Sequence, residues 1–410
     1  MTSPMQTDDV ARWPGYPIKR FAQLVYGDAL PHETKDETGD VPVYGSNGSF
    51  GRHSEANTAG PVILVGRKGS FGALNWSDVA AFAIDTVYFV DERHASCDLR
   101  WLYWALHTAG LDALSQDTGV PGLSRESAYS ARLPLPPLVE QTAIAVFLDR
   151  ETGKIDALVE EQRRLIDLLK EKRQAVISHT VTKGLDPNAK MKPSGVEWLG
   201  HVPEHWEVKR LSHLTKPGTS ITYGIVQAGP DIEGGVPYIR TSDMAGDALP
   251  IDGYLRTTPD IDEAYSRSRV EPGDIVIAIR ATIGKPLIVP PALPSANLTQ
   301  GTAKFSPGAR ILADFVCHFL RSHGAEREFG RLGKGATFKE ITLEMLRKFT
   351  ILCPPLPEQH VICGWLLERT SQFDTLIADA ARAVELLGER RAALISAAVT
   401  GKIDVQQGRS

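Results

Sequence analysis

The chain has 410 residues, 42% of them hydrophobic and 23% charged, with a formal net charge of −5. Those fractions describe an ordinary globular protein of roughly two to four domains, and no stretch approaches the run of about eighteen apolar residues that would cross a membrane. The acidic balance excludes a uniformly basic nucleic-acid binder, although affinity for phosphate depends on where Lys and Arg cluster rather than on their total.

Residues 1–12 are polar and acidic, so they read as a flexible N-terminus without a secretion signal, and a cytoplasmic location is expected. A first variable block spans 13–135. It holds short strand patterns at Pro61 to Gly66 and Ala80 to Val90, and a helical pattern at Leu99 to Leu114. A long helix is predicted over 136–182, followed by a connector over 183–200. A second block, 201–353, carries strand patterns at Gly273 to Ile279 and Lys285 to Pro290 and a helical pattern at Ile311 to Ser322. A second long helix, 354–402, and a tail, 403–410, complete the chain. Four cysteines without a CxxC pair read as free thiols.

The two long helices are one sentence written twice. "PPLVEQ" at Pro136 returns as "PPLPEQ" at Pro354, an offset of 218 residues that holds without a gap and with about twenty identities as far as Asp186 and Asp404. A period this long marks a duplicated half-molecule rather than a solenoid. The opening motif repeats as well, "WPGYPIKRF" at Trp13 being echoed by "WLGHVPEHWEVKRL" at Trp198, with Lys19-Arg20 and Lys209-Arg210 as basic pairs. Apolar spacing of three and four predicts a coiled-coil seam through Ile155, Leu158, Leu165 and Leu169 in one helix and Phe373, Leu376, Ala383 and Leu387 in the other. Antiparallel packing about Gln162 and Ala380 would set Glu151 opposite Arg390. Gly184 and Gly401 are the predicted helix stops. Glu140-Gln141 and Glu358-Gln359 read as helix-capping and docking residues. The fold class is therefore α+β: two α/β blocks separated by two long helices packed as an antiparallel coiled coil, with a pseudo-two-fold internal repeat.

No nucleotide, dinucleotide, hydrolase or zinc-deaminase motif is present, nor a base-holding tetrapeptide of amino-methyltransferase type, so no catalytic or metal site is expected. Glycine-flanked cations stand out instead. "GRKGSFG" places Arg67, Lys68 and Ser70 after an apolar strand, and "IRATIGK" places Arg280, Thr282 and Lys285 in a similar setting. Such loops bring amides and cations close to phosphate or to a guanine edge. Tyr44, Ser46, Asn47 and Arg52 in the first block are further DNA-binding candidates, as are Tyr238, Arg240, Thr241, Ser242, Lys334 and Thr337 in the second.

Taken together, the repeated "PPLxEQ" helix ending in "AVTxG" or "TVTKG", the "WLGHVPEHWEVKRL" opening and the two dissimilar blocks resemble the specificity subunit of type I restriction-modification systems, from about Trp13 to Asp404. "VPVYGSNGSFG" and "VPYIRTSDM" resemble two types of its target recognition domain. The resemblance implies a non-catalytic subunit that reads a bipartite, asymmetric site in double-stranded DNA, one domain per half. It implies docking of two methyltransferase subunits, which methylate adenine, and recruitment of restriction subunits. S-adenosylmethionine, ATP and Mg would then belong to those partners, with no cofactor in this chain and no membrane. The competing reading is a coiled-coil scaffold or adaptor that never touches DNA; the acidic balance favours it, and the cationic loops are left without a role.

Overall fold

The computed structural model describes residues 12–30, 39–114, 122–293, 295–333 and 340–405. Apart from Arg12, the N-terminal segment 1–12 lies outside the described residues. In chain order the elements are β1 (Gly15–Pro17), β2 (Val25–Tyr26), β3 (Val41–Gly45), β4 (Gly48–His53), β5 (Val62–Gly66), β6 (Leu74–Ser77), β7 (Phe82–Ala83), β8 (Val87–Asp91), α1 (Leu99–Leu106), α2 (Arg125–Ser130), β9 (Arg132–Pro134) and α3 (Leu138–Lys183). They continue with β10 (Met191–Pro193), β11 (His201–Pro203), β12 (Glu207–Arg210), β13 (Thr222–Tyr223), β14 (Val236–Ile239), β15 (Arg256–Thr257), α4 (Pro259–Ala264), β16 (Ile275–Ala278), β17 (Pro286–Ile288), β18 (Asn297–Leu298) and β19 (Thr302–Phe305). The last are α5 (Ala313–Leu320), α6 (His323–Leu332), α7 (Leu343–Lys348), β20 (Thr350–Cys353) and α8 (Leu356–Thr400). The chain divides into two compact units, Met1–Arg163 with Ala381–Ser410, and Arg164–Ala380. Each unit thus takes one block, the near half of one long helix and the far half of the other.

In the first unit a four-stranded sheet runs β2-β8-β5-β6 beside a three-stranded sheet β4-β3-β7, with β1 paired to β9. The β-branched run of β5, buried at all five positions, suits a central strand covered on both faces. Its core joins Ile63, Val65, Trp101 and Leu102 of the block to Ile144, Ala145 and Leu148 of α3 and to Ile395, Ala398 and Val399 of α8. In the second unit the order is β13-β19-β16-β17 beside β15-β14-β18, with β12 paired to β20 and β10 to β11. Here Phe305, Phe315 and Phe319 pack with Ile177 and Val181 of α3 and Ile362 and Leu366 of α8. In each three-stranded sheet the inner strand has one antiparallel and one parallel neighbour. Two blocks unlike in sequence therefore share one topology.

The helices run antiparallel in both units. Asp156 accepts from Arg391 Nε at 2.9 Å in the first unit, and in the second Asp374 accepts from Arg173 Nη2 at 3.4 Å, with Arg173 Nε 2.9 Å from its other oxygen as an ion pair. These residues are equivalent in the repeat. All four are partly exposed, so each pair contributes only about 0.3–1 kcal/mol and acts more on register than on stability. The predicted Glu151–Arg390 pair does not form; Glu151 is held within its own helix by Lys154 and Arg150. The seam also differs. Ile155 is buried and Leu169, Phe373, Ala383 and Leu387 are half-buried, but Leu158, Leu165 and Leu376 are 46%, 42% and 51% exposed. Val159, Gln162 and Ile166, with Ile377, Ala380 and Val384, occupy the inward positions. A three-four pattern can be drawn one residue to either side, and the larger leucines drew it off the seam at Leu158, Leu165 and Leu376 while Ile155, Leu169, Phe373 and Leu387 lie on it.

The helices run for 46 and 45 residues, Leu138–Lys183 and Leu356–Thr400. Gly153, Gly364 and Gly388 face open space and do not break them. Both stops hold: Gly184 and Gly401 have φ of 77° and 76°. The segment 183–200 is more than a connector, because β10 pairs with β11 and Trp198 packs on Phe319 and Phe349. The repeat partner of Trp13 is Trp206 rather than Trp198. Gly401 abuts Trp13, Gly184 abuts Trp206, and the bonds Ile18 N to Ala131 O and Leu211 N to Phe349 O sit at matching places. The basic pairs are consequently not equivalent. The pattern at Ala80 to Val90 splits into β7 and β8 around a turn closed by Val87 N to Ile84 O at 3.1 Å, and the pattern at Leu99 to Leu114 breaks after Leu106 ahead of Gly110 at φ 59°.

Candidate nucleic-acid interface

The central strand of each unit runs into the same loop. Gly72 N donates to Gly66 O, and Gly284 N to Ala278 O, each at 2.8 Å. Between them a left-handed residue turns the chain, Gly69 at φ 74° in one loop and Ala281 at φ 60° in the other. Left-handed backbone costs an L-residue about 1–2 kcal/mol, so Ala281 is strain retained at an exposed loop. Lys68 forms an antiparallel bridge with Gly122 and Arg280 with Glu340. Leu123 N donates to Arg67 O at 2.8 Å, and Ile341 N to Ile279 O at 3.0 Å. This correspondence sets Lys68 against Arg280, Ser70 against Thr282, and Arg67 against Ile279.

Around the first loop the structure gathers Ser46, Asn47, Arg67, Lys68 and Ser70. Ser46 and Asn47 form the tip of the β3–β4 hairpin, where Ser46 Oγ donates to Lys68 O at 2.6 Å, and Asn47, Lys68 and Ser70 are exposed. Arg67 turns towards Tyr26, donating to Asp85 O at 2.8 Å with its guanidinium 5.0 Å from the Tyr26 ring centre. Two candidates do not join them. Tyr44 is half-buried beside Val62 and Leu64, and Arg52 lies towards the far end of the hairpin, on Asp40 O at 3.2 Å.

Around the second loop, a Cβ on Gly301 would lie 2.5 Å from Thr241 Oγ1 and 4.0 Å from Arg280 Cβ, so those two residues converge there. Lys285 Nζ donates to Ala245 O at 2.8 Å, and Ser242 and Thr282 are exposed. Arg280 Nε donates to Glu340 Oε2 at 2.9 Å, a surface pair that a phosphate or base could displace. Arg240 is instead committed: Asp243 takes two bonds from its guanidinium and holds its pKa up. Tyr238 is 5% exposed and belongs to the core. Lys334 and Thr337 lie outside the described residues.

Gln141 and Gln359, 4% and 0% exposed, tie each long helix to its own block. Gln141 Oε1 accepts from Asp98 N at 2.7 Å, and Gln359 Oε1 from Leu312 N at 2.8 Å. Their role is internal, not docking. The glutamates beside them reach the surface, Glu140 towards Arg12 and Glu358 towards His205. Sequence reasoning missed Tyr26, Tyr223 and Arg125. The dipeptide Tyr-Gly occurs at Tyr26-Gly27, Tyr44-Gly45 and Tyr223-Gly224, and only the strand pairing shows that the first and the last are equivalent.

Two units of one topology, each with an exposed cation on a turned loop and a buried glutamine fixing it to a shared helix pair, define a duplicated recognition protein. Comparison with known proteins agrees. The chain matches the family described as type I restriction modification DNA specificity domain over residues 12–166 and again over 203–378. It is 26% identical over 351 residues to the type I restriction enzyme EcoBI specificity subunit of Escherichia coli, covering 84% of this chain and 74% of that one. It is 24% identical over 361 residues to the MjaVIII specificity subunit of Methanocaldococcus jannaschii, covering 86% and 78%. Among solved structures, one described as the basis of complex assembly and conformational transition of the type I R-M system superposes with a TM-score of 0.72 at 17% identity, covering 98% of this chain and 100% of that one. The HsdS subunit from Thermoanaerobacter tengcongensis gives 0.51 at 16%, covering 98% and 99%. This chain belongs to the type I restriction-modification DNA specificity family. Among its described residues no helix is long and apolar enough to cross a membrane.

Proposed function

We propose that this chain reads a bipartite, asymmetric DNA target for a type I restriction-modification complex, each unit reading one half. The observation that carries this is the shared loop, identical in backbone plan yet ending in Lys68 with Ser70 in one unit and in Arg280 with Thr282 in the other. One scaffold with different edge chemistry is what two different half-sites require. Catalysis is assigned to partner chains: two methyltransferase subunits using S-adenosylmethionine, and restriction subunits using ATP and Mg. Leucines left exposed at equivalent places of the repeat, Leu158 with Leu376 and Leu168 with Leu386, suit the docking of two like partners.

The test is the methylated motif in cells carrying this chain and its methyltransferase. Lys68→Ala should relax one half-site only and Arg280→Ala the other, each good bidentate contact being worth about 1–3 kcal/mol. Arg67→Ala should relax the motif less than Lys68→Ala, since its guanidinium is engaged by Asp85 O and the Tyr26 ring. Two substitutions damaging the same half would overturn the assignment of one unit per half. Methyl transfer by the rigorously purified chain alone would overturn the division of labour.

A further inference from the structure

Tyr26 and Tyr223 hold the same place in the two units. β2 pairs Val25 and Tyr26 with Phe89 and Tyr88, and β13 pairs Thr222 and Tyr223 with Lys304 and Ala303. A glycine follows each tyrosine so closely packed that a Cβ would lie 2.1 Å from Ile84 O at Gly27 and 1.9 Å from Leu298 O at Gly224. The strand then closes through Asp28 N to Ala83 O at 2.9 Å and Ile225 N to Leu298 O at 2.6 Å. Both tyrosines are 43% exposed.

Shared packing does not account for this identity, since Tyr26 meets the Tyr88 ring at 5.0 Å whereas Tyr223 stands opposite Ala303. The preceding residues differ, Val25 against Thr222, and so do the cross-strand partners, Tyr88 against Ala303. The residues at the neighbouring loop and hairpin tips differ too: Ser46, Asn47, Lys68 and Ser70 against Thr241, Ser242, Arg280 and Thr282. Two units that read different base sequences should differ where they touch base edges and agree where they touch what every duplex has in common, the sugar-phosphate backbone. The phenol hydroxyl is a suitable donor to phosphate oxygen. In the first unit the guanidinium carbons of Arg67 and Arg125 stand 5.0 and 4.8 Å from the Tyr26 ring centre and add positive charge at that spot.

We infer that Tyr26 and Tyr223 are the sequence-independent backbone contacts that set each unit on its half of the DNA target. This rests on the reading of both units as DNA-recognition units. The test uses the assembled complex with its methyltransferase, carrying Tyr26→Phe or Tyr223→Phe, which keep the ring and remove only the hydroxyl. Binding is measured on target duplex and on duplex with one half-site scrambled, and the methylated motif is sequenced. Each variant should weaken binding to both duplexes by the same factor, about 2- to 10-fold for one hydrogen bond, with the motif unchanged. A motif altered at one half would make the tyrosine a base reader and overturn the inference, and so would unchanged affinity in both variants. Lys68→Ala and Arg280→Ala separate the two levels. If they shift the motif while the tyrosine variants bind normally, only the tyrosine assignment falls; if they too leave the motif intact, the recognition reading falls with it.

Discussion

Replacing Gln359 by leucine keeps the volume and the helix propensity and removes every bond the side chain makes. Gln359 is fully buried in the first turn of α8, accepting from Leu312 N at 2.8 Å and donating to Arg310 O at 3.0 Å and Pro354 O at 2.7 Å. The Leu312 amide would become a donor without a partner, and two carbonyls would lose one. A buried polar group left unmade costs about 1–3 kcal/mol, and carbonyls with a second lone pair fall at the low end, so the loss should be about 3–5 kcal/mol. Gln141 makes two such bonds, to Asp98 N and Pro136 O, so Gln141→Leu should cost about 2–4 kcal/mol. Glu358→Gln is the control, since the glutamate meets only surface His205 in a pair worth well under about 1 kcal/mol. Denaturant unfolding gives the magnitudes, and amide exchange resolved by peptide gives the location. Gln359→Leu should lose protection at the start of α5, and Gln141→Leu at the start of α1. A Gln359→Leu protein within about 1 kcal/mol of the parent, or one losing protection equally in both units, would refute the claim that this glutamine fastens one block to its helix.

Other consequences concern backbone, charge and thiols. A Cβ on Gly284 would sit 2.2 Å from the Phe329 ring, itself stacked on Phe349 at 4.1 Å, so Gly284→Ala should lower the unfolding midpoint far more than Gly69→Ala, whose Cβ meets only Ser46 Oγ at 3.8 Å and which should cost about 1 kcal/mol; equal midpoints would contradict the close packing. Burial would raise the Asp91 carboxyl, but bonds from Arg93, the Ala59 amide and His94 outweigh it and hold it at about 2. Because the folded value is depressed, this stabilisation is full above about pH 4 and is lost as pH falls towards 2. Asp91→Asn should therefore flatten the acid limb of the stability curve by about 1–2 kcal/mol, as urea titrations at pH 3 and pH 7 would record. Burial pushes the Cys97, Cys317 and Cys363 thiols up to about 12, so an aromatic disulfide reagent at pH 8 should label the native chain slowly and all four cysteines after unfolding.

The repeated helices and the cationic loops were legible because both depend on local pattern: an uninterrupted run with a glycine stop, and cations between glycines after an apolar strand. The common topology of the two blocks was not. It is written in hydrogen-bond register, which tolerates Phe89 where the other unit has Lys304 and Tyr88 where it has Ala303, so the side chains carry little trace of it. Pairing each loop with its counterpart needed the bonds from Leu123 to Arg67 and from Ile341 to Ile279. The sequence offered Arg67 and Lys68 together, with nothing to say which of them matches Arg280. Arg240 looked like a reader for the same kind of reason, and only its two bonds to Asp243 remove it.

The helix register could have been read from the sequence by holding it to its own symmetry. In a two-fold repeat every cross-helix contact has a mate in which the two roles are exchanged. Setting Glu151 against Arg390 demands a mate between Arg369 and Lys172, two cations facing each other. Setting Asp156 against Arg391 demands one between Asp374 and Arg173, again an acid facing a base, and both of these pairs form. Asp156 returns as Asp374 and Arg173 as Arg391, so an acid faces a base in each unit. The same reasoning explains the buried glutamines, each needed once per unit, and separates them from the loop residues. Contacts that fasten each block to its helices recur in both units, whereas contacts that read an asymmetric target must differ. On the proposed reading Lys68 and Arg280, which hold one place in the loop with different cations, belong to the second group.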